Sequence, residues 1–374
     1  NTLAGKLPGF FSQQSSGQPG RDASDFFIRG VSSLNAAGNQ PLIIVDDIQY
    51  SYDQLQQINV NEIESISILK DASSTAIYGI KGANGVLVVT TRRGKSGSPQ
   101  VNLRVENGLQ APTKTPNFLD SYNSALLINE AEKNDGLKQT FTQQDLDAFK
   151  NGTDPYGHPN VNWYDKIFKK YSYQANTNLD ISGGTKGLKY FISGGALTQN
   201  GLVRDFADPQ SLVNTNYYFN RYNFRSNLDL NATKNLNLRL DVSTRFSDLN
   251  QPYNQNAVGE VYNFHRETPF TAPYLNPNGT YSYAYSDFNP DHLPTLNARL
   301  ATGGYQRSKR TDFNVLFEAK ENLNSITDGL SATARVAYSS IEQFTKQIFN
   351  GGIPAYHYDP VTNAYSLRPG ATYV

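Results

Sequence analysis

Four histidines are the first candidates for metal binding or acid–base chemistry in this chain, and their placement argues against both. His158, His265, His292 and His357 stand far apart, and none belongs to an HExxH or related ligand pattern. Cysteine is absent, which removes thiolate zinc sites, disulfide frameworks and cysteine nucleophiles. Asp46 and Asp47 are adjacent at the end of an apolar run, and neighbours on a strand point to opposite faces, so they cannot easily flank one glycosidic bond. Gly79, Gly82 and Gly85 spell GxxGxxG, which is neither a Walker nor a dinucleotide pattern and precedes a strand instead of opening a helix. The NPNGT at 276–280 carries too few carboxylates for a calcium loop. The chain is therefore expected not to be an enzyme and to hold no metal or cofactor.

Composition narrows the remaining classes. The 374 residues carry 33 basic and 33 acidic side chains, interspersed along the chain, so the electrostatic footprint of a nucleic-acid binder is missing. Charged residues reach only 18 %, whereas tyrosine (24) and phenylalanine (20) are abundant. No apolar stretch is long enough for a membrane-crossing helix, but a membrane β-barrel, whose signal per strand is weak, is compatible with this composition. Methionine is absent even at position 1, and the chain is expected to be part of a longer or processed product.

Two textures divide the sequence near residue 98. Before it, Gly-, Pro-, Ser- and Asn-rich segments surround a short FFIRGV strand. PLIIVDDI at 41–48 then reads as a buried strand ending in an acidic turn. Residues 58–93 read as two strands flanking a small-residue segment. Residues 1–98 thus form a small α/β unit, closed by the basic, Gly-rich RRGKSGSP at 92–99. After it, helices are expected at 118–135 and 142–151, each starting on a cap-type residue, Asp120 and Thr142. Alternating segments follow or flank them at 100–110, 178–183, 188–202, 218–230, 236–248, 306–320 and 330–343. In 236–248, Leu236, Leu238, Leu240 and Val242 oppose Asn237, Arg239, Asp241 and Ser243, giving one oily and one polar face. About seven strands result, mostly at or beyond the ~9–11 residues that cross a bilayer obliquely. Short turns join one end of the hairpins and long loops the other, the asymmetry of outer-membrane barrels. A β-sandwich usually has shorter strands and more frequent turns.

IRG at 28–30, PLIIVDDI at 41–48 and INVNEIESISILKDASSTAIYGIKGANGVLVVTTRRG at 58–94 resemble the plug of the SusC/RagA class of TonB-dependent outer-membrane transporters. LDSYNSALLINEA at 119–131, ISGGTKGLKYFISGGALTQNGLV at 181–203 and YNFRSNLDL at 222–230 resemble the first barrel segments of that class. The resemblance implies a small α/β plug domain (1–98) inside an antiparallel transmembrane β-barrel of about 22 strands, of which about seven are expected in 99–374. Asp47 replaces the glycine usual after Asp46, so the turn there is expected to differ. Ile80 and Lys81 also depart from the commoner small or polar residue and arginine. The family's signal peptide, its regulatory-like N-terminal domain and its TonB-contacting segment are expected to lie outside these residues, and the far end to fall within an extracellular loop.

The resemblance further implies energy-coupled import of an oligomeric nutrient, glycan or peptide. Its partners would be a SusD-like surface lipoprotein serving as lid, TonB, outer-membrane lipid and an assembly of two transporter–lid pairs. Arg29, Glu64, Lys70, Asp71 and Arg92 are then candidates for plug–barrel contacts, with solvated surface charge as the competing reading. Candidates for substrate or lid contact are Ser33, Asn35, Asn39 and Tyr78 at the plug apices, and Tyr262, Phe264, Phe270, Tyr274, Tyr281, Tyr283 and Tyr285 in the long loops. Those aromatics could equally form a membrane-interface girdle or pack within the loops. Two other classes stay open at this point: a β-structured surface-binding or secretion-associated protein, and a carbohydrate-active enzyme with paired carboxylates.

Overall fold

The computed structural model describes residues 10–14, 17–20, 24–28, 40–56, 58–207, 214–253, 257–261, 267–284 and 292–371. Strands β1 (Phe10–Gln14) and β2 (Ser24–Ile28) form an antiparallel pair. A four-stranded sheet follows, built from β3 (Leu42–Val45), β4 (Ile48–Tyr50), β5 (Ile63–Leu69) and β6 (Val86–Thr91) in the order β4-β3-β6-β5. The apolar run at 41–48 contains β3 and the expected acidic turn, and its last residue, Ile48, already opens the return strand β4 of a hairpin. Asp46 and Asp47 take φ of 45° and 72°, and two consecutive positive φ values suit a tight two-residue turn whose twist matches the flanking strands. Asp tolerates this region better than most residues, which is why the turn survives without the glycine.

Ile43, Val45, Tyr50, Ile58, Leu87 and Val89 make the core of this unit. Val86, Leu87 and Val89 have no solvent exposure at all, and fully burying such a side chain contributes roughly 1.5–3 kcal/mol. Helix α1 (Tyr52–Gln56) and a 3-10 turn at Val60–Glu62 connect β4 to β5. Between β5 and β6 lie α2 (Ala72–Thr75) and a 3-10 segment, Ala76–Gly82, broken where Gly79 takes φ 58°. A side chain at Gly79 would meet nothing within 4 Å, so what glycine supplies there is the positive φ.

From Gly97 onward the chain is an up-and-down meander. β7 (Gly97–Gln110), β8 (Ser172–Gly184), β9 (Leu188–Asn200), β10 (Tyr218–Asn231), β11 (Leu236–Pro252), β12 (Gly304–Asn322) and β13 (Ser331–Phe349) form one antiparallel sheet in sequence order. Register follows the alternation. Tyr190, Leu228, Leu240, Phe317 and Val336 lie side by side across β9 to β13 on the outer face. Asn223, Arg225, Asp241, Ser243, Arg245, Asp312 and Asn314 point the other way and are buried. A sheet that is oily outside and polar inside needs a polar-surfaced filling, and the four-stranded unit occupies that side.

The long connections carry α3 (Ser121–Asn134), α4 (Gln143–Asn151), α5 (Trp163–Ile167), α6 (Ala257–Val261), α7 (Leu296–Thr302) and a hairpin of β14 (Tyr356–Asp359) with β15 (Ala364–Leu367). Asp120 and Thr142 do cap α3 and α4, accepting the N–H of Asn123 and Asp145. These loops gather at one end of the sheet. Val161, Trp163, Ile167 and Phe168 pack with Val261, Leu296 and Leu300, so loops distant in sequence share one apolar core.

Candidate functional site

The inner face of the sheet meets the four-stranded unit through charge and amide contacts. Arg225 on β10 donates from Nε to Glu62 at 2.8 Å and from a terminal nitrogen toward Asp46 at 3.5 Å. Their side chains are at most 6 % exposed. Glu62 also accepts from Ser193 on β9 at 3.3 Å and from Asn223 on β10. The 3-10 turn that aims Glu62 is capped by Asn59, whose carbonyl oxygen accepts the Asn61 N–H at 3.0 Å. Asn59 in turn donates to Asn178 on β8. Asp46 is fixed by Thr91, which donates its N–H at 2.9 Å and its hydroxyl at 2.5 Å. Asn227 donates to the Thr91 hydroxyl at 2.9 Å and to the Arg92 carbonyl at 2.8 Å.

A second anchor lies at the end of β6. Arg93 forks onto Asp229 of β10 at 2.7 and 2.9 Å and onto Asp241 of β11 at 2.9 and 3.1 Å, the paired geometry that guanidinium offers carboxylates. Arg92 lies 3.4 Å from Asp180 on β8 and 5.2 Å from the Phe191 ring centroid. Asp47 faces Arg239 and Arg335, each at 3.4 Å. Glycines let the two layers touch. A Cβ on Gly94 would come within 2.4 Å of the Tyr190 backbone, and one on Gly195 within 2.6 Å of the Asn178 and Asn223 side chains.

At the loop end is a cleft of about 410 Å³, walled by Phe141, Phe149, Tyr156, Phe270, Tyr283 and Tyr358 among others. His158 lies in its wall, bonded through Nε2 to Asp145 at 3.0 Å and through Nδ1 to Asp154 at 2.9 Å. Burial alone would lower the His158 pKa, but the two carboxylates outweigh it and hold the imidazole above its ordinary value. His357, also lining the cleft, is pushed down by burial. Deeper in the same loops, Arg299 bridges Glu260 at 2.9 Å and Glu267 at 2.5 Å. Burial raises Glu267 to about 7 despite that partner. No group of three potential metal ligands occurs among the described residues.

Comparison with known proteins decides the family. Residues 1–86 match the TonB-dependent receptor plug domain. The chain is 31 % identical over 284 residues to TonB-dependent receptor P26 of Formosa agariphila, covering 75 % of this chain and 26 % of that one. It is 33 % identical over 213 residues to TonB-dependent receptor SusC of Bacteroides thetaiotaomicron, covering 54 % and 19 % respectively. The chain thus spans about a quarter or less of the length of these relatives. The solved RagAB peptide importer in its closed-closed state superposes with a TM-score of 0.70 at 22 % identity, over 92 % of this chain and 39 % of that one. The chain belongs to the SusC/RagA-type TonB-dependent transporters.

The four-stranded unit is therefore the plug and the meander a portion of the outer-membrane barrel, of a family of transporters and not enzymes. Among the expected plug–barrel candidates, Arg92 lies beside Asp180. Glu64 does not reach the barrel strands in the contacts described: its carboxylate lies 3.6 Å from Lys95, both exposed. Lys70 follows β5 and is half-buried, and the bonds described for Asp71 are local, its carbonyl accepting the Ser74 and Thr75 N–H groups. Arg29 lies outside the described residues. The residues that reach furthest into the interface, Asp46, Glu62, Arg93 and Arg225, were not singled out as contacts.

The aromatic candidates divide. Phe270 and Tyr283 line the cleft. Tyr274 packs on Trp163 at 6.3 Å and Lys166 at 5.2 Å within the loop core, and the Tyr281 carbonyl accepts the Tyr356 N–H at 2.8 Å. Tyr78 is half-buried on the plug. Ser33, Asn35, Asn39, Tyr262, Phe264 and Tyr285 lie outside the described residues. Tyr156, Tyr358, His158 and His357 were missed as cleft residues because they come from two segments far apart in sequence, and no local pattern joins them.

Proposed function

We propose that this chain belongs to a TonB-dependent importer of an oligomeric nutrient, glycan or oligopeptide, with residues 1–98 as the plug and 99–374 as part of the barrel and its extracellular loops. A SusD-like surface lipoprotein serves as lid, TonB drives the plug from the periplasmic side, and two transporter–lid pairs assemble together. The observation that carries this reading is the division of labour in the plug. Its apolar side chains are spent inside its own sheet, at Ile43, Val45, Leu87 and Val89, while its surface toward the barrel is held through Glu62, Asp46, Arg92 and Arg93. Hydrogen bonds and ion pairs can be exchanged for water at modest net cost, whereas an apolar interface would expose oily surface on every cycle. A plug seated this way can be displaced and reseated.

The test is to express the full-length gene with its neighbour, extract the membranes in detergent, and identify copurifying proteins and trapped oligomers by mass spectrometry. A surface lipoprotein with a bound oligosaccharide or peptide, and TonB-dependent growth on that oligomer, is the expected result. Recovery from the soluble fraction with neither partner refutes the proposal.

A further inference from the structure

The outward face of the barrel strands is apolar for most of its height and basic at one place. Along β11 the outward positions run from Leu238 through Leu240, Val242 and Thr244 to Phe246. That run covers about 27 Å of strand and about 21 Å of barrel height at the usual ~40° tilt, which nearly fills the ~25 Å apolar band of an outer-membrane barrel. At its edge toward the long loops the Tyr222 and Phe246 rings stack at 6.4 Å, the place of an aromatic girdle.

Just beyond that edge, β12 and β13 present three cations on the same face. Asp312, Asn314 and Leu316 are buried while Phe313 and Phe317 between and beyond them are exposed, so Arg307 and Lys309 stand on the outward side with the phenylalanines. Arg307 lies directly opposite Lys346, and Lys309 opposite Phe344. Like charges facing each other across two strands repel, so this pairing lacks a reason within the fold. Arg307 donates to Asp248 of β11 from Nε at 2.8 Å and from Nη2. Lys309 and Lys346 are exposed. Among the described residues neither makes an ion pair, and the Lys346 ammonium lies 6.0 Å from the Tyr305 ring centroid. Three cations thus meet two outward carboxylates, Asp248 and Glu342, and Arg307 already occupies Asp248.

Position decides the partner. Elsewhere along this edge the outward residues Asn107, Tyr173, Thr198 and Asn220 carry no charge. At the short-turn end the outward residues Leu230, Leu236, Glu321 and Ala332 include no cation. The cations therefore mark one spot, on the side of the long extracellular loops. They continue a surface made by Phe344 and by the Phe313 and Tyr338 rings, whose centroids are 6.4 Å apart. A molecule that fits both parts has an apolar body and an anionic end. Lysines at headgroup depth attract anionic lipid, and a phosphate offers several acceptor oxygens to two ammonium groups at once.

We propose that Arg307, Lys309 and Lys346 bind the phosphate headgroup of an outer-leaflet lipid whose acyl chains lie on Phe313, Tyr338 and Phe344. The proposal rests on the barrel assignment alone and holds whichever oligomer is imported.

The test is native mass spectrometry of the purified full-length transporter in a non-ionic detergent, titrated with diphosphorylated lipid A, with the same lipid stripped of its phosphates, and with inorganic phosphate as competitor. The phosphorylated lipid should bind at concentrations where the stripped lipid does not. The double variant Lys309→Gln, Lys346→Gln should weaken it roughly thirtyfold, about fivefold for each cation. Lys234→Gln, in the turn at the opposite end of the strands, should bind as wild type. Heat-modifiable migration on gels checks that each variant barrel is folded. Equal retention of the two lipids overturns the proposal, and that comparison needs no variant. A folded double variant that binds like wild type overturns it as well. So does inorganic phosphate that displaces the lipid at equal concentration, which marks a site for free anions.

Discussion

Replacing Arg225 with methionine tests how the plug is held. The guanidinium is 3 % exposed and its Nε–H reaches Glu62, itself 2 % exposed, at 2.8 Å. Methionine keeps the apolar bulk and removes the charge, leaving the Glu62 carboxylate with Ser193 and Asn223 as donors and Asp46 with Thr91. Breaking a buried pair from one side costs about 3–5 kcal/mol, and because these donors remain, about 3 kcal/mol is the appropriate end of that range. At ~1.4 kcal/mol per factor of ten, local opening of the plug should rise roughly a hundredfold. Amide hydrogen exchange on the full-length transporter reads it directly in peptides covering 86–93, where the Arg92 N–H bonds the Glu62 carbonyl at 2.8 Å. Barrel strands serve as the internal reference. The Glu62→Gln, Arg225→Met double variant should recover most of the loss, because it leaves no unpaired charge at this pair. If Arg225→Met changes exchange by less than about threefold, or the double variant is worse than either single one, the reasoning is wrong.

Other consequences follow from single contacts. Gly94→Ala should prevent plug seating, since its Cβ would lie 2.3 Å from the Tyr190 nitrogen and 2.4 Å from its carbonyl oxygen, neither of which can swing aside; plug protease sensitivity in intact outer membranes should rise to that of a plug released from the barrel. Burial holds Glu267 near 7 against an unfolded value near ~4.3, so the folded loops bind the proton more tightly. Their stability should grow as pH falls from about 7 toward that value and shrink above it. Limited proteolysis between about pH 5 and 8 should show the slope, and Glu267→Gln should flatten it. For His158, burial is outweighed by Asp145 and Asp154 and the folded pKa is raised. Its clamp is therefore complete below the ordinary histidine range and weakens as pH climbs past the raised value, which NMR titration of the ring protons would follow and His158→Gln would abolish.

The sequence carried the large-scale plan because the plan is periodic. Alternation in 236–248 announced β11 and its inward face, and cap residues announced α3 and α4. The interface was less legible, and Glu62 and Glu64 show why. Two residues apart on a regular strand, they would share a face. In the structure the β5–β6 register shifts between Ile63 and Ser65, and Glu62 belongs to the preceding 3-10 turn. The irregularity separates the pair, so that Glu62 is buried beneath Arg225 while Glu64 faces Lys95 at the surface. At Asp46 the acidic turn was legible but its aim was not: the positive-φ turn directs the carboxylate at Thr91.

A compositional signal was available for the partners, if not for their pairing. The chain is rich in asparagine and poor in charge, and Asn59, Asn178, Asn223 and Asn227 are all buried on the polar side of the sheet. Asparagine both donates and accepts without carrying charge, so in the proposed displacement it would satisfy a neighbour in the seated state and turn to water outside it, with no ion to desolvate on return. Glu62 and Arg225 do carry that desolvation cost, and they sit where four strands of contact converge on one turn. Under the proposed plug displacement, the neutral amides would let the surface part and the few buried charges would set how hard it must be pulled. That division would place the force-bearing contacts at Glu62, Asp46 and Arg93, and it is why the Arg225 exchange experiment discriminates better than any alanine scan of the asparagines.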